Sequence, residues 1–325
     1  MKPDMHVSLC GLSLVSPIIA ASGTFGYGTE FEEIVNFRKI GGFVTKGISP
    51  EPMAGNQAPR LIETAAGMIN AIGLQNIGVG RFLAEKLPPL RKYPQCATIV
   101  NVFGATIDDY VTVISCLNEA EGIAAYELNA SCPNTKHGGI AFGSDPDTLF
   151  DLVSRAKGRS TRPLIVKLSP NVTSIALMAQ TAQRAGADAL SLVNTFLALS
   201  IDTESRRPRL MNIIGGLSGP AIKPIAVRMV WEAAKAVTIP VIGLGGIVTP
   251  EDAVEFLLAG ATAVQIGTAS FSDPRATERI ANELEQWCAR HHVARVADLT
   301  GAVELPTGPQ DQPDRMRTTS SPTAS

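Results

Sequence analysis

The hexapeptide Asn129-Ala130-Ser131-Cys132-Pro133-Asn134 follows the apolar run Ala124-Ala125-Tyr126-Glu127-Leu128. A strand that ends in a polar cluster with one thiol and then meets a proline has the make-up of a catalytic loop on a rigid scaffold, because proline cannot continue a central strand. In that setting Cys132 would act as a base or nucleophile. The alternative is a buried structural thiol, since free cysteine often behaves as a small hydrophobe. The next run, Thr135-Lys136-His137-Gly138-Gly139-Ile140-Ala141-Phe142-Gly143, holds enough glycine to move as a flap.

Two lysines have an equally suggestive setting. Lys167 sits in Ile165-Val166-Lys167-Leu168-Ser169, so its ammonium must reach a partner at the strand end. A cation held there could stabilise negative charge on a reduced flavin ring. Lys46, after Phe43-Val44-Thr45, could do the same or hold a substrate carboxylate. Each could instead snorkel to solvent. Asparagines recur in the same kind of position: Asn70, Asn76, Asn101, Asn129, Asn134 and Asn194. An amide both donates and accepts, which suits a planar ligand edged with C=O and N–H groups, such as a flavin or a pyrimidine. Asn76 is equally well explained as a helix cap.

The elements that must position these groups alternate. Apolar runs at Ile18–Ala21, Gly42–Thr45, Thr98–Val102, Ala125–Leu128, Leu164–Leu168, Ala189–Val193, Pro240–Leu244 and Ala263–Ile266 read as strands. Helices are predicted near 30–38, 76–92, 107–120, 146–159, 173–185, 219–237, 250–259 and 275–291. Thr249-Pro250-Glu251-Asp252 has a capping hydroxyl, a proline at the first helical position and acids in the first turn. Eight strand–helix units imply an α/β fold of the (β/α)₈ (TIM) barrel type, with residues 1–305 as the barrel. An open doubly wound sheet is the competing architecture, but its glycine fingerprint after the first strand is missing. Val7, Leu9, Leu12 and Leu14 suggest an N-terminal β-hairpin reversing near Gly11. Long excursions at 47–75 and 195–218 would carry extra strands on the C-terminal face, where barrel active sites are built. The tail 306–325, rich in Pro, Thr, Ser and Gln, is expected to be disordered.

Chemistry collects where the strands end. Ser22-Gly23-Thr24 follows the first, Lys46-Gly47 the second and Asn101 the third. Asn129 and Cys132 follow the fourth, Lys167 ends the fifth and Asn194-Thr195 follow the sixth. Gly243-Leu244-Gly245-Gly246 and Gly267-Thr268 end the last two. Glycine turns after strands seven and eight suit a phosphate, whose oxygens need close backbone N–H groups and a helix N-terminus. A tight strand-to-helix turn alone would also call for glycine.

Bulk properties narrow the function. With 45% hydrophobic and 18% charged residues, the 325-residue chain can bury a large core. Its net charge of −2, without a basic run, argues against nucleic acid or an anionic membrane as partner. Five widely spaced cysteines without a CxxC pair suggest reduced thiols in a cytoplasm and no metal site. The apolar stretch Leu9–Ser22 is interrupted by Gly11 and Pro17 and lacks a basic flank, so it does not read as a signal peptide.

At 21–28 (ASGTFGYG), 45–49 (TKGIS), 70–76 (NAIGLQN), 129–134 (NASCPN), 138–143 (GGIAFG), 166–172 (VKLSPNV), 215–224 (GGLSGPAIKP), 243–247 (GLGGI) and 266–268 (IGT), the chain closely resembles the dihydroorotate dehydrogenases, over roughly residues 5–292. Cysteine rather than serine in the catalytic loop is similar to class 1, and the GGIAFG and GGLSGPAIKP segments to the NAD-linked class 1B. The resemblance implies oxidation of (S)-dihydroorotate to orotate in pyrimidine biosynthesis. Cys132 would remove the C5 proton while C6 delivers hydride to N5 of FMN. A thiol of ordinary pKa, near 8.5, would make activity rise with pH.

Implied FMN contacts are Ser22, Lys46, Gly47, Asn101, Asn129, Lys167, Val193, Gly219, Gly245, Gly246, Gly267 and Thr268. Implied substrate contacts are Lys46, Asn70, Ala71, Ile72, Gly73, Leu74, Asn129, Asn194 and Thr195. The resemblance further implies a barrel homodimer joined to a subunit carrying FAD and a [2Fe–2S] cluster, a heterotetramer that passes electrons to NAD⁺. Phe196-Leu197-Ala198-Leu199-Ser200 departs from the family's small Gly/Met-containing sequence, which is expected to reshape the sixth loop. Alternatives are a fumarate-linked class 1A enzyme, a flavin-free phosphate-binding lyase or isomerase barrel, and a catalytically silent scaffold.

Overall fold

Eight parallel strands follow one another around a closed barrel: β1 (Ile18–Ala20), β2 (Gly42–Val44), β3 (Ala97–Val102), β4 (Ala125–Asn129), β5 (Leu164–Lys167), β6 (Ala189–Leu192), β7 (Val241–Leu244) and β8 (Ala263–Ile266). β8 pairs back onto β1, so no strand edge is left open. The strands are buried on both faces, which is why they read as near-continuous apolar runs. The structure, a computed structural model, describes residues 2–131, 133–134 and 140–306. Cys132, the run 135–139 and the tail beyond 306 lie outside the described residues, and with them the expectations of a catalytic thiol position, a flap and a disordered tail.

Around the barrel lie α1 (Ile107–Asn118), α2 (Pro146–Arg159), α3 (Ile175–Arg184), α4 (Lys223–Ala236), α5 (Pro250–Leu258) and α6 (Ala276–Arg290). Their starts are chemically marked. Thr106 with Asp109, and Thr249 with Asp252, form reciprocal capping boxes on α1 and α5. Asp145 caps α2 and Ser174 caps α3. The helix expected over 76–92 is present as a continuous helical stretch from Gly78 to Leu90, with a π-helical middle at Phe82–Lys86.

The helix expected near 30–38 is not formed; only a 3₁₀ turn at Thr29–Phe31 occurs there. Val35 and Phe37 are both buried, and residues two apart cannot share one helical face. Packing decides the segment instead. Phe25 stacks on Phe31 at 4.0 Å, and Phe37 packs on Phe43 at 5.4 Å. This aromatic plug closes the β1–β2 connection against the barrel wall.

The N-terminal hairpin pairs Val7–Leu9 with Leu12–Leu14 around Cys10 and Gly11, both at positive φ. The two excursions join each other. Leu61–Thr64 pairs with Gly67–Asn70 from the first, Gly67–Asn70 pairs with Ile214–Ser218 from the second, and that strand pairs with Phe196–Leu199. The departing stretch 196–200 thus supplies an edge strand to a four-stranded antiparallel sheet. Among the described residues no helix is long and apolar enough to cross a membrane.

Candidate active site

All eight strands deliver their C-terminal ends to one cavity of about 720 Å³. Its wall includes Ser22 after β1, Lys46 and Gly47 after β2, Asn101 in β3, Asn129 at the end of β4 and Lys167 at the end of β5. Val193, Asn194 and Thr195 follow from β6, Gly245 and Gly246 from β7, and Gly267 and Thr268 from β8. The excursions complete it with Asn70, Ala71, Ile72, Gly73, Leu74 and Gly219. Every sequence-predicted cofactor and substrate residue therefore lines the same space, and a cavity of this size falls in the range of cofactor and ligand sites. Cys132 and the side chain of Asn134 are outside the described residues; Asn129 and Ser131, beside them in the chain, line the cavity.

Asn76 is held in a structural network just before the helix, whose N-cap position falls at Ile77 without a side-chain cap. Its carbonyl oxygen accepts from the Gly78 N–H at 2.8 Å, and its amide donates to Ser49 Oγ at 2.9 Å and to the Leu74 carbonyl at 3.0 Å. The 70–74 segment is pinned from the other side by Asn56, whose amide donates to the Ala71 carbonyl at 2.9 Å. The loops after β4 and β6 are tied together by Asn194 Nδ2, which donates to Ser131 Oγ at 2.9 Å.

Both lysines are cations short of partners. Lys46 makes no ion pair among the described residues, and burial pushes its ammonium below the ordinary lysine range, with the charge of Arg60 adding to the effect. Lys167 is 6% exposed, and its nearest acidic oxygen is Glu127 Oε1 at 3.7 Å. None of its ammonium hydrogens is taken by a hydrogen bond among the described residues, and a buried donor left so is costly unless a ligand accepts it.

The glycine turns separate into two kinds. Gly219 and Gly246 are needed by the fold itself: φ is +97° and +79°, and a Cβ on Gly246 would lie 2.7 Å from the Gly219 carbonyl oxygen. Gly267 is different. It lacks positive φ, and a Cβ there would meet nothing nearer than Ala21 Cβ at 3.5 Å. The protein around it would tolerate a side chain, so the glycine fits a group that must approach the backbone closely. Gly246, Gly267 and Thr268 donate no backbone hydrogen bond among the described residues. That donor set fits a phosphate.

Sequence reading missed the floor of the cavity. Glu127, fully buried in β4, accepts from Asn101 Nδ2 at 2.8 Å, Ser191 Oγ at 3.0 Å and Gln265 Nε2 at 2.7 Å. A carboxylate two residues before Asn129 shares its face of the strand, and that spacing was the available signal. Among the described cysteines, burial pushes Cys10 and Cys96 up to about 12 and Cys288 to about 11, while Cys116 is exposed on α1. These three thiols, Cys10 half-buried and Cys96 and Cys288 buried, are too weakly acidic to supply a base near neutral pH.

A family model described as dihydroorotate dehydrogenase matches residues 4–287. A Solibacter usitatus protein carrying the provisional name dihydroorotate dehydrogenase A (fumarate) is 57% identical over 305 residues, covering 94% of this chain and 100% of its own. The protein named dihydroorotate dehydrogenase B (NAD(+)), catalytic subunit, is 55% identical in Pelobacter propionicus, over 94% of this chain and 100% of the relative. The one so named in Citrifermentans bemidjiense is 53% identical, over 94% and 99%.

Proposed function

The chain belongs to the dihydroorotate dehydrogenase family and oxidises dihydroorotate, and on that premise we propose that it works with one bound FMN and with Cys132 as the base. Bound FMN would supply the acceptor for the hydride that leaves C6 of dihydroorotate. The chain's residues do the rest. Cys132 takes the C5 proton, giving orotate. Lys167 offers its ammonium to the negative charge that develops on the ring. Lys46 offers a cation to the substrate carboxylate, and Asn70, Asn129, Asn194 and Thr195 offer amide and hydroxyl groups to the pyrimidine edge. Gly245, Gly246, Gly267 and Thr268 hold the phosphate. The observation that carries this reading is the pair of lysines without a hydrogen-bond acceptor among the described residues, lining one cavity with glycine turns whose backbone donors are free among those residues.

Electrons then pass to NAD⁺ through a partner subunit. The relatives named as NAD(+)-linked catalytic subunits support this, as does the absence of a dinucleotide fingerprint in this sequence. That partner carries FAD and a [2Fe–2S] cluster, and a barrel homodimer forms the core of a cytoplasmic heterotetramer. Exposed Leu197, Ile201, Met211 and Ile214 around the excursion sheet support a protein contact there. The fumarate-linked reading is the second one, favoured by the Solibacter relative.

A visible spectrum separates these outcomes. The purified chain is expected to show bound flavin absorption that bleaches on anaerobic addition of dihydroorotate. NAD⁺ added to this chain alone leaves it bleached, whereas prompt recovery with fumarate assigns the fumarate-linked type. A colourless protein, or a flavin that dihydroorotate does not bleach, sinks the reading.

The depressed pKa of Lys46 has a pH consequence. An anion beside the ammonium raises that pKa back, so above the free value binding must take up a proton. Orotate affinity is therefore expected to fall as pH rises, beginning below the ordinary lysine value of 10.5. Calorimetric titration across alkaline pH checks this, and Lys46→Met should bind more weakly and lose this decline. A wild-type affinity that holds flat would remove Lys46 from the carboxylate.

A further inference from the structure

Beneath the cavity lies Glu127, the one acidic side chain among the described residues that is completely buried. A buried carboxylate costs several kcal/mol unless compensated. Its compensation comes from side chains on four other strands: Asn101 in β3, Lys167 in β5, Ser191 in β6 and Gln265 in β8. Three are neutral hydrogen-bond donors. The fourth, Lys167, stands off at 3.7 Å, outside hydrogen-bond distance, and lines the cavity.

The arrangement is directional. An ionised carboxylate only accepts, so Gln265 must turn its Nε2 toward Glu127, where it donates at 2.7 Å. This leaves Gln265 Oε1 buried with no hydrogen-bond partner among the described residues, on a side chain that lines the cavity. Glu127 thus acts on two side chains that line the cavity: it orients the Gln265 amide and sets a negative charge 3.7 Å from the ammonium of Lys167. Apolar side chains in these positions would fill the barrel at lower cost, so the layer is explained by what it does to a ligand.

Resting on the flavin reading above, we infer that Glu127 is a positioning residue that lowers the reduction potential of the bound flavin, acting through Lys167 and Gln265. A lone ammonium at Lys167 would favour the negatively charged reduced ring strongly and hold its electrons. The carboxylate behind it offsets part of that field, so the electrons can be passed on. Charge near the ring is one of the means by which a protein tunes such a cofactor.

Glu127→Gln is the informative variant, because the layer can absorb it. Rotation of the Ser191 hydroxyl and a flip of the Gln265 amide, whose oxygen is unpartnered, present acceptors to the new NH₂ group. The experiment is a spectroscopic redox titration of FMN bound to the full chain, comparing wild type with Glu127→Gln and Ser191→Ala. The glutamine variant is expected to favour the reduced flavin at least tenfold, a rise of about 30 mV for a two-electron couple. Ser191→Ala removes one neutral hydrogen bond and no charge, so it should move the potential less than half as far. Glu127→Asp keeps the charge but withdraws it by one methylene, so a smaller rise in the same direction is expected, and it serves as the test if the glutamine variant does not fold. An unchanged or lowered potential in the Glu127 variants, or an equal rise in Ser191→Ala, overturns the inference while leaving FMN binding intact. Wild-type protein that holds no FMN overturns the flavin reading and this inference together.

Discussion

Cys132→Ala protein stays yellow with bound FMN but oxidises dihydroorotate about 10²–10⁴-fold more slowly, the range a positioned general base contributes. The expectation follows by exclusion as well as by resemblance. Cys10, Cys96 and Cys288 are held in the thiol form by burial, and Cys116 lies exposed on α1, away from the residues that line the cavity. Asn129 and Ser131, which precede position 132, belong to the cavity wall and are tied to Asn194. Cys132→Ser keeps a hydroxyl in place of the thiol. A hydroxyl is far less acidic, so only weak activity is expected, and that at high pH. Stopped-flow measurement of flavin bleaching isolates the step from electron transfer onward. Undiminished bleaching in the alanine variant would take the base assignment away from this residue.

Lys167→Ala is expected to lose most of its FMN and to unfold at a temperature several degrees lower. Two effects coincide at this site. Removing the ammonium strips the cavity of the cation proposed to serve the ring, and it also leaves Glu127 buried without a countercharge. Breaking a buried pair from one side costs about 3–5 kcal/mol, and the three neutral donors on Glu127 put this case toward the lower end. Adding Glu127→Gln to Lys167→Ala should then recover stability without recovering FMN. Thermal melts and flavin content of the single and double variants check both halves. If the double variant were no more stable than Lys167→Ala, the two side chains would not be coupled. Normal flavin content in Lys167→Ala would remove its role at the ring.

The strand ends were legible because the information is local. An apolar run that closes on Lys46, Asn129 or Lys167 announces a polar group at the tip of a buried strand, and alternation of side chains along a strand does not depend on what lies beside it. The cap at Thr249 was equally local, since its reciprocal pair with Asp252 spans three residues. The 30–38 segment failed for the opposite reason. Its acidic and apolar residues permit a helix, but Phe31 and Phe37 are worth more packed on Phe25 and Phe43 than aligned on a helix face.

By itself the sequence determined the barrel order, the tips of the strands and the glycine turns, all of which are set within stretches of about ten residues or fewer. Only the tertiary structure decided that Gly67–Asn70 pairs with Ile214–Ser218, and that Glu127 meets Gln265 across 138 residues of chain. Ring closure brings β4 and β8 to face each other through the barrel interior, and a side chain's partner across that interior depends on the register of every strand between them. A carboxylate in an apolar run can be seen in the sequence; the ammonium and the amide that make it bearable appear only once the barrel has closed.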